Sequence, residues 1–252
     1  MTQRKMKAKL RLNSPNNWIM IGEVSERKTF LRSLSREERE KFLGQEKAEK
    51  LAKEVESERV YREGQVLVVD FSFVGKMKVA EVDSLLAQIR MSVGFLRKQI
   101  PQYFKLVCSG VSVNLQEALL KKGSKKWKVD LFPEDIQELP FVHNKNLVIL
   151  SPDAPDILEE VDLENTVYII GGLVDKTILS KQTLQKSQAL GIKSARFPLK
   201  ESLLGLVVPC KLKKVLNIIT VIEILHKRAS GQDWPSTLLS SIPRRWLKPL
   251  NI

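Results

Sequence analysis

The chain has 252 residues, 43% of them hydrophobic, which is enough for a full core in one large domain or in a domain with an extension. Its 42 Lys/Arg against 29 Asp/Glu give a formal charge of +13, and a globular protein this basic usually meets a polyanion, most commonly nucleic acid. No apolar run reaches the length of a membrane span, and two histidines with two scattered cysteines support neither a metal site nor a Ser-His-Asp or Cys-His catalytic set.

Residues 1–64 hold 16 Lys/Arg and 11 Asp/Glu and read as a basic extension, partly helical. The stretch through Lys28 is polar and is expected to be irregular. Its early basic residues, Arg4, Lys5, Lys7, Lys9 and Arg11, lack a signal-peptide core. They fit a transit peptide, a nuclear signal or an RNA-binding arm alike, and nucleus or cytoplasm is favoured over mitochondrion. Ser35-Arg-Glu-Glu38 is a capping box that opens a Glu/Lys-rich helix running to Glu63, with Gly64 ending it. Its apolar positions are few, so it is either a solvated helix or one that lays a basic face on RNA.

Residues 65–252 read as the main domain. Val66–Asp70 is a continuous apolar strand ending in an acid, as in a sheet covered on both faces. Val79 to Ile100 has helical spacing, with Gln88, Arg90, Arg97 and Lys98 on its polar face and Pro101 as its stop. Tyr103–Cys108 is a second apolar segment of strand type, and a short helix follows over Asn114 to Lys121. Lys121, Lys122, Lys125, Lys126 and Lys128 then surround Trp127. Such a cluster suits phosphate contact with stacking on a base, and equally a solvated loop whose Trp tucks into the core. Pro133–Ile136 has the makings of a first helical turn. Leu147–Pro152 is again a strand, and the acidic Asp153 to Glu160 is expected to form a helical turn.

Val167 to Ile170 is the next buried strand, ended by Gly171 and Gly172, with Asp175 and Lys176 on the loop beyond. Paired glycines there allow a sharp turn, or let a ligand lie against bare main chain. Gln182 to Leu190 reads as a helix with Gly191 as its C-terminal cap. Ser194–Pro198 is a short strand, residues 200–212 a loop, and Lys214 to Lys227 a helix with an apolar stripe. Trp234, Arg244, Arg245 and Trp246 stand in the tail. Cys108 and Cys210 lie among apolar residues and read as buried free thiols. Alternating strands and helices over residues 65–230 give an α/β domain with a mostly parallel sheet. The dinucleotide fingerprint and the P-loop are both missing.

Tyr168-Ile-Ile-Gly-Gly-Leu-Val-Asp-Lys176, Lys186-Ser-Gln-Ala-Leu-Gly-Ile192, Ala195-Arg-Phe-Pro-Leu199 and Lys214-Val-Leu216 together resemble the Trm10 family of tRNA guanine-N1 methyltransferases. The likeness spans about residues 60–245. It implies a SPOUT methyltransferase fold with a C-terminal trefoil knot, preceded by the basic N-terminal helical extension, which would contact tRNA. It implies S-adenosyl-L-methionine as cofactor, tRNA as substrate, methylation of N1 of the purine at position 9 with guanine favoured over adenine, and a monomer that also meets other tRNA-processing proteins.

The resemblance carries cofactor binding to Leu150, Ser151, Gly171, Gly172, Lys176, Thr177, Leu184, Phe197, Pro198, Leu199, Lys214, Val215 and Leu216. It makes Asp175 the residue that takes the proton from guanine N1, with Asp70 at a comparable strand end as an assistant. RNA contacts fall to Gln88, Arg90, Arg97, Lys98, Lys121, Lys122, Lys125, Lys126, Lys128, Arg244 and Arg245. The chain departs from the family pattern at Ile218 and Ile219, at Met91 and at Thr177-Ile-Leu179. The departure at Asn217–Ile219 keeps a second reading open, a non-catalytic tRNA-binding subunit that supports another processing enzyme.

Overall fold

The computed structural model describes residues 24–174, 181–204 and 215–247. The basic arm over residues 1–23, Cys210 and most of the expected 200–212 loop lie outside them. Two compact units divide between Glu56 and Ser57.

In the first unit, helix α1 (Val24–Ser33) begins where irregular chain was expected. The reason is local packing. Phe30 meets Phe42 edge to face at 5.3 Å, and Arg27 pairs with Glu46. Helix α2 (Arg36–Glu63) starts at the predicted capping box, in which the Ser35 amide donates to Glu38 and the Glu38 amide to Ser35 Oγ.

The second unit begins inside α2 because its last turns are anchored. Val60 is fully buried, Tyr61 Oη donates to Asp130 at 2.6 Å, and Glu58 pairs with Lys128 at 2.9 Å. The Asp130 carboxylate pushes the Tyr61 hydroxyl up to about 12, with burial adding to the shift. Six parallel strands follow: β1 (Gln65–Asp70), β2 (Phe104–Ser109), β3 (Asp130–Leu131), β4 (Asn146–Leu150), β5 (Thr166–Gly171) and β6 (Lys193–Ala195). Their order is β3-β2-β1-β5-β4-β6, so β1 and β5 lie side by side at the centre, with Asp70 opposite Gly171.

The helices of this unit are α3 (Val79–Leu96), α4 (Val113–Lys121), α5 (Gln182–Leu190), α6 (Leu199–Leu203), α7 (Ile218–Ala229) and α8 (Trp234–Ser241). Strand side chains alternate between two apolar layers. Leu67, Val69, Tyr168 and Ile170 join the layer built with α3, α7 and α8, while Val66, Val68, Val167 and Ile169 pack with Ile136, Leu139 and Val142. That double burial is why these strands read as unbroken apolar runs.

Several boundaries differ from expectation. The α3 helix stops at Leu96, short of Ile100. Residues 153–160 make no helical turn: Arg196 N donates to Asp156 O and Leu158 N to Arg196 O, so the segment runs beside the end of β6. Pro155, which has no amide hydrogen, suits an extended edge better than a helix. Helix α7 opens only at Ile218, because Asn217 is its extended cap residue. Cys108 is a buried free thiol, and burial pushes it up. No described helix is long and apolar enough to cross a membrane.

Candidate active site

The C-terminal ends of β4, β5 and β6 open into a cavity of about 510 Å³. That size is typical of a small-molecule site, and the carboxyl edge of a parallel sheet is where such folds bind ligands. Leu150, Ile170, Leu184, Phe197, Leu199, Val215, Leu216, Ile218 and Val221 give it apolar walls. Ser151, Asp153, Lys181, Thr183 and Lys200 bring polar groups to the same space. Thr183 Oγ1 donates to Ser151 Oγ at 2.9 Å, and the Lys181 amide to Asp153 Oδ2 at 3.2 Å. Lys181 holds the left-handed conformation, φ 61°, as it leads into α5. Arg196 also lines the cavity, with its guanidinium held by both oxygens of Glu201 at 2.8 and 3.1 Å. That carboxylate raises Arg196, and Arg196 in turn lowers Glu201.

Eight of the expected cofactor residues line the cavity: Leu150, Ser151, Gly171, Leu184, Phe197, Leu199, Val215 and Leu216. Gly172 and Pro198 are not among its lining residues. Asp175, Lys176, Thr177 and Lys214 lie outside the described residues. Gly171 faces the cavity, as its reading as floor for a ligand expects, and that reading needs a correction at Gly172 alone. A Cβ on Gly171 would come within 2.3 Å of Thr183 Cγ2, and one on Gly172 within 2.6 Å of the Asp70 carbonyl oxygen. The protein's own atoms therefore require glycine at both positions. Sequence reasoning misses Thr183, Lys181, Asp153 and Lys200, since only the fold brings α5, α6 and the end of β4 round one space.

Asp70 is 1% exposed and does not line the cavity. Its Oδ1 caps the following turn by accepting from Ser72 N at 3.0 Å, and its Oδ2 pairs with Lys186 Nζ at 2.9 Å. It is thus engaged as a cap and counter-ion rather than presented to a substrate. Lys186 also reaches Asp135 Oδ1 at 2.6 Å. Burial works against the Asp135 carboxylate, but Lys186 and the Ile136 amide outweigh it and hold the group below its usual range.

The expected RNA contacts divide into several groups. Gln88 is taken up inside the fold: its Oε1 accepts from Ile218 N at 2.9 Å and so caps α7. Trp127 is buried in the core, which removes it as a stacking platform. Lys128, at φ 54°, pairs with Glu58, and Lys122 pairs with Asp83 at 3.0 Å. Arg97 is half-buried as the C-terminal cap of α3. Arg90, Lys98, Lys121, Lys125, Lys126 and Arg244 are exposed, and the side chain of Arg245 lies outside the description.

The family described as tRNA (guanine(9)-N(1))-methyltransferase TRM10/TRM10A matches residues 2–247. The tRNA methyltransferase 10 homolog B of Rattus norvegicus is 35% identical over 189 residues, covering 71% of this chain and 57% of that protein. The tRNA methyltransferase 10 homolog A of Xenopus tropicalis is 32% identical over 181 residues, 71% of this chain and 52% of its own length. The chain thus spans little more than half of these curated relatives. Among solved structures, spTrm10(74) aligns over 71% of this chain and 96% of its own at 25% identity, TM-score 0.62. Full-length spTrm10, solved as an SAH complex, gives TM-score 0.59 at 24% identity, over 71% and 97% of the two chains.

Proposed function

The chain belongs to the tRNA (guanine(9)-N(1))-methyltransferase family, and from that premise we propose that it transfers a methyl group from S-adenosyl-L-methionine to N1 of the guanine at position 9 of tRNA. The observation that carries the proposal is the cavity at the ends of β4, β5 and β6, to which eight family-matched residues contribute. Its residues fit the cofactor. Leu150, Leu184, Leu199 and Leu216 offer flat apolar walls for an adenosine, and Ser151, Asp153, Thr183, Lys181 and Lys200 offer partners for its hydroxyl, ammonium and carboxylate groups. The SAH complex of the spTrm10 relative supports the same cofactor, since SAH is what remains after the methyl group has left.

When bound, S-adenosylmethionine supplies an electrophilic methyl group on a positively charged sulfur. The acceptor, guanine N1, carries a proton at neutral pH, and that proton must leave as the N–CH3 bond forms. Asp175 is the residue assigned to accept it or to orient N1–H toward water. Asp70, buried against Lys186 and the Ser72 amide, holds the neighbouring strand end. The apolar walls exclude water from the transferring methyl group.

The reading extends to a monomer with the trefoil knot of SPOUT enzymes, and to tRNA contacts along residues 1–64 and at the exposed Arg90, Lys98, Lys121, Lys125, Lys126 and Arg244. Basic composition and family membership support these points. The test is mass spectrometry of a full tRNA pool incubated with protein and cofactor. The expected product is 1-methylguanosine at position 9; no methylpurine there in any tRNA would sink the proposal. Titration calorimetry with S-adenosylmethionine separates it from a non-catalytic tRNA-binding subunit, which need not bind the cofactor.

A further inference from the structure

We infer that Lys186 is a positioning residue for methyl transfer, one that locks the end of β1 and, through it, the Gly171-Gly172 turn at the rim of the cavity. The inference rests on the proposed function and adds a residue to that same site. Lys186 Nζ lies 2.9 Å from Asp70 Oδ2, 2.6 Å from Asp135 Oδ1 and 2.9 Å from Ser72 Oγ. The ammonium thus donates to Ser72 and Asp135 and forms an ion pair with Asp70. The Lys186 side chain is 14% exposed and that of Asp70 only 2%, and the ammonium also sits 5.7 Å from the Phe73 ring. A carboxylate this buried is costly to leave without its counter-ion.

Asp70 passes the constraint on. Its side chain receives Lys186, and its main-chain carbonyl accepts from Gly172 N at 2.8 Å. Gly172 has no room for a Cβ against that carbonyl, so its position follows the end of β1. On the other side, Lys186 belongs to α5, whose Thr183 and Leu184 line the cavity. A second bond, Lys76 Nζ to Gln182 Oε1 at 2.7 Å, joins the turn after β1 to the same helix. Lys186 itself does not line the cavity, so it acts by fixing the turn rather than by touching cofactor or base.

The test compares wild type with Lys186→Met, and with Asp70→Asn as a near-isosteric variant should the first fail to fold. In cofactor-free protein, the Gly172 amide of either variant is expected to exchange with solvent at least ~10-fold faster than in wild type, while Val148 in β4 keeps its protection. With tRNA and cofactor, kcat is expected to fall at least ~10-fold while both KM values stay within ~3-fold, the signature of lost positioning. Unchanged Gly172 exchange, or a loss confined to KM, overturns the inference. A wild-type chain that methylates no tRNA overturns the proposed function and this inference with it, whereas wild-type methylation with unaltered variants overturns the inference alone.

Discussion

At the scale of single residues, the paired glycines and Gln88 show what a motif leaves unsaid. Gly171 and Gly172 end β5 as expected, but the contacts that demand glycine come from Thr183 and from the backbone of Asp70. Because a backbone carbonyl cannot swing aside as a side chain can, Gly172→Ala is expected to cost about 1–3 kcal/mol by overpacking. Chemical denaturation measures it, and a change under about 0.5 kcal/mol, the range of an ordinary surface substitution, would contradict the account. Gln88 stands on the polar face of α3 in sequence, which is why it reads as an RNA contact. Its oxygen instead satisfies the first amide of α7, more than a hundred residues away, a pairing no local pattern reports. Gln88→Leu should lower stability by about 1 kcal/mol, the usual worth of a helix cap. It should also weaken cofactor binding, because Ile218 and Val221 line the cavity, and leave tRNA affinity unchanged in a filter-binding assay.

At the scale of elements, the strands and long helices were legible because their signals are local. Unbroken apolar runs announced β1, β4 and β5, and Gly191, at φ 64°, closes α5 at Leu190 as its sequence predicts. Where tertiary partners decide, the pattern failed. Residues 153–160 pair beside Arg196 instead of coiling, and Trp127 goes inward. Helix α7 carries a further consequence. His226 is buried between the rings of Phe95 and Tyr103, with Nε2 3.3 Å from the Pro101 carbonyl. Burial depresses it, Lys227 adds to the depression, and the Pro101 carbonyl opposes both. Below about pH 6.5 the unfolded chain therefore takes up a proton that the folded chain refuses. Stability should fall as pH drops through that window and level off below the depressed folded value. Melting temperatures between pH 7.5 and 5 should show this slope, and His226→Phe should flatten it.

At the scale of the whole molecule, charge and topology set behaviour that no one site explains. A net charge of +13 with exposed Lys121, Lys125 and Lys126 predicts tRNA affinity that drops steeply with salt. Replacing those three lysines with Gln should reduce the slope of log K against log salt by about 1 for each phosphate no longer neutralised. An unchanged slope would remove that loop from the RNA surface. The central pairing of β1 with β5 bears on how the chain is made. On a ribosome adding about 5–20 residues per second, β1 emerges several seconds before the strand that must flank it, about a hundred residues later. Until then one edge of an apolar strand stays open to any passing neighbour. Nascent chains halted before residue 166 should therefore be caught by chaperones or aggregate, and those released beyond β6 should not. This sheet becomes safe only once its middle is filled, by the fifth of its six strands.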